Sequence, residues 1–303
     1  MRVLLTGGAG FIGSHIAEAY LDAGHEVTIV DDLSTGRREH VPPSAELVEC
    51  SIRDASLADV FERVRPEVVN HHAAQASVKL STGDPIADLA TNGGGTAAVA
   101  MLAARYGARK IIYASSGGTV YGNPERLPVS EDHALAPVSP YGTSKLAGEL
   151  YVRMFGRTAG LDFTIFRYGN AYGPRQDPHG EAGVVAIFTG LMLQGQRCTI
   201  DGDGEQRKDY LYVGDIARAN VLALESGSGQ TLNIGTGEGL TVNEIFRTLS
   251  AETGNRVAAA NGPPRPGDVR DFWLDCDRAA SVLGWRAATS FEDGVRLTVA
   301  SFG

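Results

Sequence analysis

Long apolar runs are missing from this chain. The longest, residues 97–104 and 184–188, fall far short of the roughly 20 residues a membrane helix needs. The apolar stretch after Met1-Arg2 is only Val3-Leu4-Leu5, too short for the core of a signal peptide. Cysteine is scarce: Cys50, Cys198 and Cys276 are far apart and without C-x-x-C spacing, which excludes a disulfide framework and a zinc ribbon. No basic run exceeds Arg37-Arg38, and 27 Lys+Arg against 36 Asp+Glu leave a net charge of −9, which argues against nucleic acid as a partner. Internal repeats and low-complexity segments are also missing. What remains is a soluble, cytoplasmic globular protein, whose 303 residues suffice for two domains.

Short β-branched runs alternate with longer helical patterns, the mark of a parallel sheet wrapped by helices. Strands are expected at residues 3–5, 27–30, 47–50, 68–70, 110–114 and 163–167, and helices at 11–23, 86–106 and 141–158. The run Gly93-Gly94-Gly95 inside the second helix costs about 1 kcal/mol per glycine relative to alanine, so a close approach of neighbouring backbone is expected there. After residue 168 the chain turns rich in Gly and Pro, at 169–183, 202–205 and 261–267. The fold class is therefore α/β: a doubly wound Rossmann domain of 1–168 plus about 210–235, with a smaller discontinuous lobe of 169–209 and 236–303.

Gly7-Gly8-Ala9-Gly10-Phe11-Ile12-Gly13 closes the first strand and opens the first helix. Glycines there permit a tight turn and let backbone N–H groups approach a pyrophosphate at a helix N-terminus. Asp31 ends the second strand 18 residues after Gly13, where a carboxylate can accept the adenosine ribose hydroxyls and repel a 2′-phosphate, favouring NAD over NADP. Tyr141 and Lys145 stand at i, i+4 on one helix face. An ammonium beside a phenol lowers its pKa, which makes Tyr141 a candidate base near neutral pH. His71 and His72 are adjacent on a strand and face opposite ways, so no shared metal is expected. His179 sits in a loop without an assignable role.

With S-S-G-G-T-V-Y-G at Ser115 to Gly122 and S-P-Y-G-T-S-K at Ser139 to Lys145, the sequence resembles the extended short-chain dehydrogenases/reductases. Within them it most resembles the UDP-glucose 4-epimerases. The match continues through Arg167-Tyr168-Gly169-Asn170, Gly173-Pro174-Arg175, Asp209 to Asp215, Asn233 to Gly237 and Arg265-Pro266-Gly267-Asp268. The resemblance implies a retained NAD held by Gly7, Gly10, Phe11, Ile12, Gly13, Asp31, Asp32, Ser51, Ile52, Ala73, Ala74, Lys79, Asn92, Tyr141, Lys145 and Tyr168. It implies a UDP-sugar substrate contacted by Gln75, Ser116, Tyr141, Asn170, Val184, Val185, Arg207, Lys208, Arg265, Asp268 and Phe272. Tyr141 would take the proton of the sugar 4′-hydroxyl, a 4-keto sugar would turn over, and Lys145 would hold the nicotinamide ribose and tune Tyr141. A homodimer through the helices of 86–106 and 141–158 is implied too, although the stripe Ala98, Leu102, Arg105 with Val99, Ala103 and Tyr106 fits ordinary core packing equally.

The chain departs from that pattern in three places. Gly117 stands where the family usually has Ser or Thr, leaving Ser116 as the expected substrate hydroxyl with Ser115 and Thr119 as alternatives. Ser51 replaces the usual adenine-side Asp. Lys208 replaces the usual Arg before Asp209-Tyr210, so the phosphate contact is expected to move to the fork of Arg207. Phe272, at the position resembling the gate for the sugar 2′-substituent, is expected to exclude an N-acetyl group by overlap. A UDP-glucuronate 4-epimerase, with Arg175 or Lys79 meeting the C6 carboxylate, is the rival reading. A dehydratase or decarboxylase would need an acid where Gly117 and Gly118 stand, and an NAD-binding sensor would not need Tyr141 and Lys145.

Overall fold

The computed structural model describes residues 1–179, 183–264 and 269–302. Arg265 and Asp268, both expected on the substrate, lie outside the described residues. At the centre is a seven-stranded parallel sheet of β1 (Arg2–Thr6), β2 (Glu26–Asp31), β3 (Glu46–Glu49), β4 (Val68–His71), β5 (Lys110–Ser116), β6 (Asp162–Tyr168) and β7 (Gln230–Ile234). Their spatial order is β7-β6-β5-β4-β1-β2-β3. The order reverses between β1 and β4, and the crevice at that switch point, beyond the strand C-termini, is where such sheets bind ligands. Each expected strand forms, most of them longer by a residue or two.

Alternation along the strands feeds two cores. Val3, Leu5, Ile112 and Phe166 point to one face, where they meet helices α1 (Phe11–Asp22) and α9 (Val213–Ala223). Leu4, Ile111, Tyr113 and Ile165 point to the other. That face is covered by α2 (Leu57–Val64), α5 (Thr96–Arg105) and α7 (Pro140–Ala159). Burial on both faces is why these strands are apolar throughout.

Ahead of α5 run α3 (Val78–Gly83), α4 (Pro85–Leu89) and a π-helical stretch, Ala90–Gly95. The expected helix of 86–106 is thus interrupted by a π segment at its glycines. What crowds them is side chain, not backbone: a Cβ on Gly95 would lie 2.5 Å from Ile52 Cδ1, and one on Gly93 2.9 Å from Leu89 Cδ1. Following β5 comes the short α6 (Gly117–Val120). A third core joins Tyr172, Phe188, Ile200, Ile245 and Val295. These come from α8 (Val184–Leu193), α10 (Val242–Thr253), α12 (Phe291–Ala300) and short strands. Between α10 and α12, Phe272, Leu274, Ala279 and Trp285, with helix α11 (Asp277–Leu283), pack into the core of the sheet.

Candidate active site

The β1–α1 turn is held at very short range. Gly7 has φ +73°, and a Cβ on it would lie 2.5 Å from Ala73 N, at the end of β4. A Cβ on Gly13 would lie 2.1 Å from Gly7 O. Gly10 is the N-cap of α1, with its N–H on Gly7 O (3.2 Å), and the helix start has no side-chain cap and no acid in its first turn. The N-terminal amides of α1, Phe11 and Ile12 among them, therefore offer an uncontested positive end. A dinucleotide's pyrophosphate fits this cradle.

Asp31 is buried, and its carboxylate accepts from Ala9 N (2.9 Å) and Leu33 N (2.9 Å). It braces the glycine turn as well as ending β2. Asp32 is exposed and accepts from the amide (3.1 Å) and hydroxyl (2.5 Å) of Ser34. The two basic residues nearby are matched by acids: Arg38 by Glu49 at 2.5 Å, Arg37 by Glu39 at 3.5 Å and Asp177 at 3.9 Å. Ser51 accepts weakly from Arg53 N (3.4 Å), while Ile52 is buried against Gly95. Ala73 N donates to Thr6 Oγ1 (3.2 Å), and Ala74 is half-buried beside it.

Ser139 caps α7, accepting from Gly142 N (3.1 Å), with Pro140 in the first turn. This start places Tyr141 against the end of β5, where its phenol meets the Ser116 hydroxyl. Of the three hydroxyls open in the sequence, Ser116 is the one at Tyr141. Ser115 donates to buried Glu149 (2.6 Å), and Thr119 turns back to Ser116 O (3.5 Å). Gly117 has little room for the family's usual side chain, since a Cβ would stand 3.0 Å from Leu274 and 3.1 Å from Tyr168 O.

The electrostatics differ from expectation. Burial pushes the Tyr141 phenol up to about 12, with the Ser116 hydrogen bond opposing and the Asp88 carboxylate reinforcing the rise. Burial also brings Lys145 down to about 8, against the pull of Glu149 and Asp88. Its Nζ lies over the Tyr113 ring, 4.8 Å from the centroid. Desolvation, not the ammonium, sets the direction of the phenol's shift.

Several expected contact residues have other work. Asn92 is buried, giving its amide to Gln75 O (2.9 Å), Asp88 Oδ1 (3.0 Å) and Ser144 Oγ (3.1 Å). Gln75 donates to Ser77 O and to Asp88, so both brace the site from within. Lys79 is exposed. The Tyr168 hydroxyl accepts from Asn220 (2.9 Å) and is 3.0 Å from His72 Nε2, while His72 Nδ1 lies 2.6 Å from Asn70 Oδ1. His71 points to the opposite face, between Thr6 (2.6 Å) and Thr96 (2.9 Å). Burial lowers both imidazoles, His72 to about 3. His179 is exposed, its amide on Asp177 (2.9 Å).

In the smaller lobe a cleft of about 790 Å³ is lined by Asn170, Val184, Ile187, Phe188, Lys208 and Arg270, among others. Asn170 gives its side-chain amide to Asp209 O (3.1 Å). Three expected contact residues sit elsewhere in the structure. Val185, one position round α8 from Val184, is fully buried in the lobe core. Arg207 is exposed and does not line the cleft, because strand neighbours face opposite ways; Lys208 does. Phe272 is 2% exposed, in the core beside Tyr121 with ring centroids 6.4 Å apart, so it is no gate to an open pocket. Arg175 is committed to Glu18 and Ser14.

Sequence reasoning overlooked Glu149, Asp88, Ile187, Phe188 and Arg270. Glu149 and Phe188 carried a helical signal: Glu149 is four residues beyond Lys145 on α7 and Phe188 four beyond Val184 on α8. Arg270, paired with Asp203 at 2.8 Å, had none.

The sequence profile of the NAD dependent epimerase/dehydratase family matches residues 3–235. A UDP-glucose 4-epimerase from Mycolicibacterium smegmatis is 43% identical over 308 residues, covering 100% of this chain and 98% of its own. The crystal structure of a Thermotoga maritima UDP-glucose 4-epimerase with UDP-glucose superposes with a TM-score of 0.98 at 46% identity, covering 100% of this chain and 98% of that one. A Thermus thermophilus UDP-glucose 4-epimerase in complex with NAD gives 0.95 at 44%, covering 100% and 99%. The glycine cradle, the Ser116–Tyr141 contact and this likeness along the whole chain agree: the protein belongs to the NAD dependent epimerase/dehydratase family.

Proposed function

We propose that the protein interconverts UDP-glucose and UDP-galactose by NAD-dependent epimerisation at C4 of the hexose. The observation that carries this is the Ser116–Tyr141 contact beside the glycine cradle, in a chain alike from end to end to UDP-glucose 4-epimerases. NAD, held by the amides of α1 and by Asp31, supplies a reversible hydride acceptor. Tyr141 takes the proton of the C4 hydroxyl and returns it after the 4-keto sugar has turned over. Ser116, hydrogen-bonded to that phenol, orients it and shares the sugar oxygen. Lys145 supplies a buried positive charge behind the pair. Asn170 and Lys208 meet the nucleotide phosphates from the cleft of the lobe.

The choice of hexose rests on the likeness, since Phe272 is core. The glucuronate reading loses Arg175, which is committed to Glu18. The two units expected from the sequence stand as our proposal, with residues 272–285 reassigned to the sheet side, where they pack. A homodimer is part of this reading, supported by the exposed apolar residues Ile86, Leu89, Met101 and Leu150 on the helices expected to form it. Val99, Leu102 and Ala103 of the expected stripe are core. None of the described helices is long and apolar enough to cross a membrane. Together with three buried free cysteines, this supports a cytoplasmic protein.

The test is an NMR time course on purified protein without added NAD, offered UDP-galactose or UDP-glucuronate. The expected result is UDP-glucose from UDP-galactose, lost in Tyr141→Phe. Turnover of UDP-glucuronate alone would overturn the hexose assignment.

A further inference from the structure

Asp88, on α4, is 2% exposed. Its Oδ1 accepts from Gln75 Nε2 (2.8 Å) and Asn92 Nδ2 (3.0 Å), while Oδ2 is buried without a hydrogen-bond partner. The Asn92 amide also reaches Ser144 Oγ (3.1 Å), and that hydroxyl donates to Tyr141 O (3.0 Å). Asp88 is thereby tied to the turn of α7 that carries Tyr141 and Lys145. A buried carboxylate with a bare oxygen is costly unless a cation balances it.

The charges nearby identify the cation. Facing Lys145 are Glu149 from its own helix, Asp88 from α4, Tyr113 from β5, His71 at the end of β4 and His72 just beyond it. Both imidazoles are neutral, their basicity suppressed by burial. Glu149 is already matched: Arg167 holds it through Nε (2.9 Å) and Nη2 (2.7 Å), both partners being fully buried, and Arg153 adds a further positive charge. That leaves Asp88, which acts on Lys145 from beyond ion-pair distance and is tied to its helix through Asn92 and Ser144, as the carboxylate no arginine claims.

We propose that Asp88 is a positioning residue for the reaction: its buried carboxylate is the counter-charge that keeps Lys145 an ammonium behind Tyr141, and its link through Asn92 and Ser144 sets α4 against α7. The proposal rests on the epimerase reading and deepens it. Lys145 sits at about 8 with Asp88 in place and falls lower without it. The same carboxylate raises Tyr141. Removing the charge should therefore move both limbs of the pH–rate profile to lower pH.

Asp88→Asn tests this with little disturbance, since the amide oxygen still accepts from Gln75 and Asn92. The chain has only four lysines, Lys79, Lys110, Lys145 and Lys208. Their Cε signals in the NAD-loaded, lysine-labelled protein can be titrated, with Lys145→Met assigning one. In Asp88→Asn the Lys145 midpoint should fall by about one pH unit or more. Both limbs of kcat should follow, while KM for UDP-galactose changes less than about twofold. An unmoved Lys145 midpoint overturns the proposal, whatever the activity. If the unmodified protein leaves UDP-galactose unchanged, the epimerase reading fails while the Lys145 titration still decides the counter-charge. Thermal melts give a second test. Lys145→Met strands Asp88 and should lower the melting temperature, and adding Asp88→Asn should recover part of the loss. A double variant no more stable than Lys145→Met overturns the proposal.

Discussion

The ammonium of Lys145 lies 4.8 Å from the centroid of the Tyr113 ring, on the wall of β5. A cation over an aromatic face is worth more when desolvated, on the order of 2 kcal/mol. This contact, together with the nearby carboxylates, lets a fully enclosed lysine stay charged in the site. It also explains the spacing of α7: Tyr141 meets Ser116, Lys145 meets Tyr113, and Glu149 meets Ser115 and Arg167, at successive turns of one face.

The two serines that end β5 should separate cleanly. Ser116→Ala removes the hydroxyl at Tyr141 and should lower kcat by about 10²-fold with an unchanged melting temperature. Ser115→Ala leaves buried Glu149 short of one donor and should cost about 1–3 kcal/mol of stability. Steady-state kinetics and thermal melts on both variants check the assignment.

Restoring the family's usual hydroxyl should not help. In Gly117→Ser the new Cβ would press on Leu274 at 3.0 Å and on Tyr168 O at 3.1 Å, an overpacking penalty of about 1–3 kcal/mol. The expected outcome is a lower melting temperature and no gain in kcat. A faster, equally stable variant would show that Ser116 does not stand in for the missing side chain.

Lys208 and Arg207 offer a test of strand alternation as a specificity rule. Lys208→Ala, in the cleft, should raise KM for the UDP-sugar by about tenfold. Arg207→Ala, exposed and outside the lining, should leave KM unchanged. UDP affinity by calorimetry gives the same comparison without turnover.

Acid sensitivity should trace to the two histidines of β4 and its exit. His72 is held down to about 3, and His71 well below its ordinary 6.5, both by burial. The folded protein keeps them neutral while the unfolded chain takes up protons below about 6.5. Their contribution is therefore complete above that pH and is lost as pH falls from 6.5 towards 3, with up to one proton per histidine in the slope. Melts from pH 7 to 4.5 should show the loss, and His72→Gln should flatten it.

Much of this was legible from local pattern. A glycine turn between strand and helix, an acid at the end of β2, and Tyr141 with Lys145 on one helix face are short-range statements, and backbone periodicity is enough to place them. Ser116 was expected ahead of Ser115, but local pattern left Ser115 open. Both end the same strand, and only the approach of α7 decides which one meets Tyr141 and which meets Glu149. Val185, Arg207 and Phe272 were misplaced for a related reason: motif position marks a neighbourhood, whereas the turn of a helix or the pleat of a strand chooses the face.

The sequence by itself determined the sheet, the cradle at the β1–α1 turn and the chemistry of Tyr141 and Lys145, because each depends on residues close in the chain. Tertiary structure alone decided the charge states. Whether a phenol or an ammonium ionises depends on how much water is removed and on which carboxylates lie across the interface. Asp88 on α4, and Arg167 on β6 which claims the Glu149 carboxylate, reach the site only when the helices pack on the sheet.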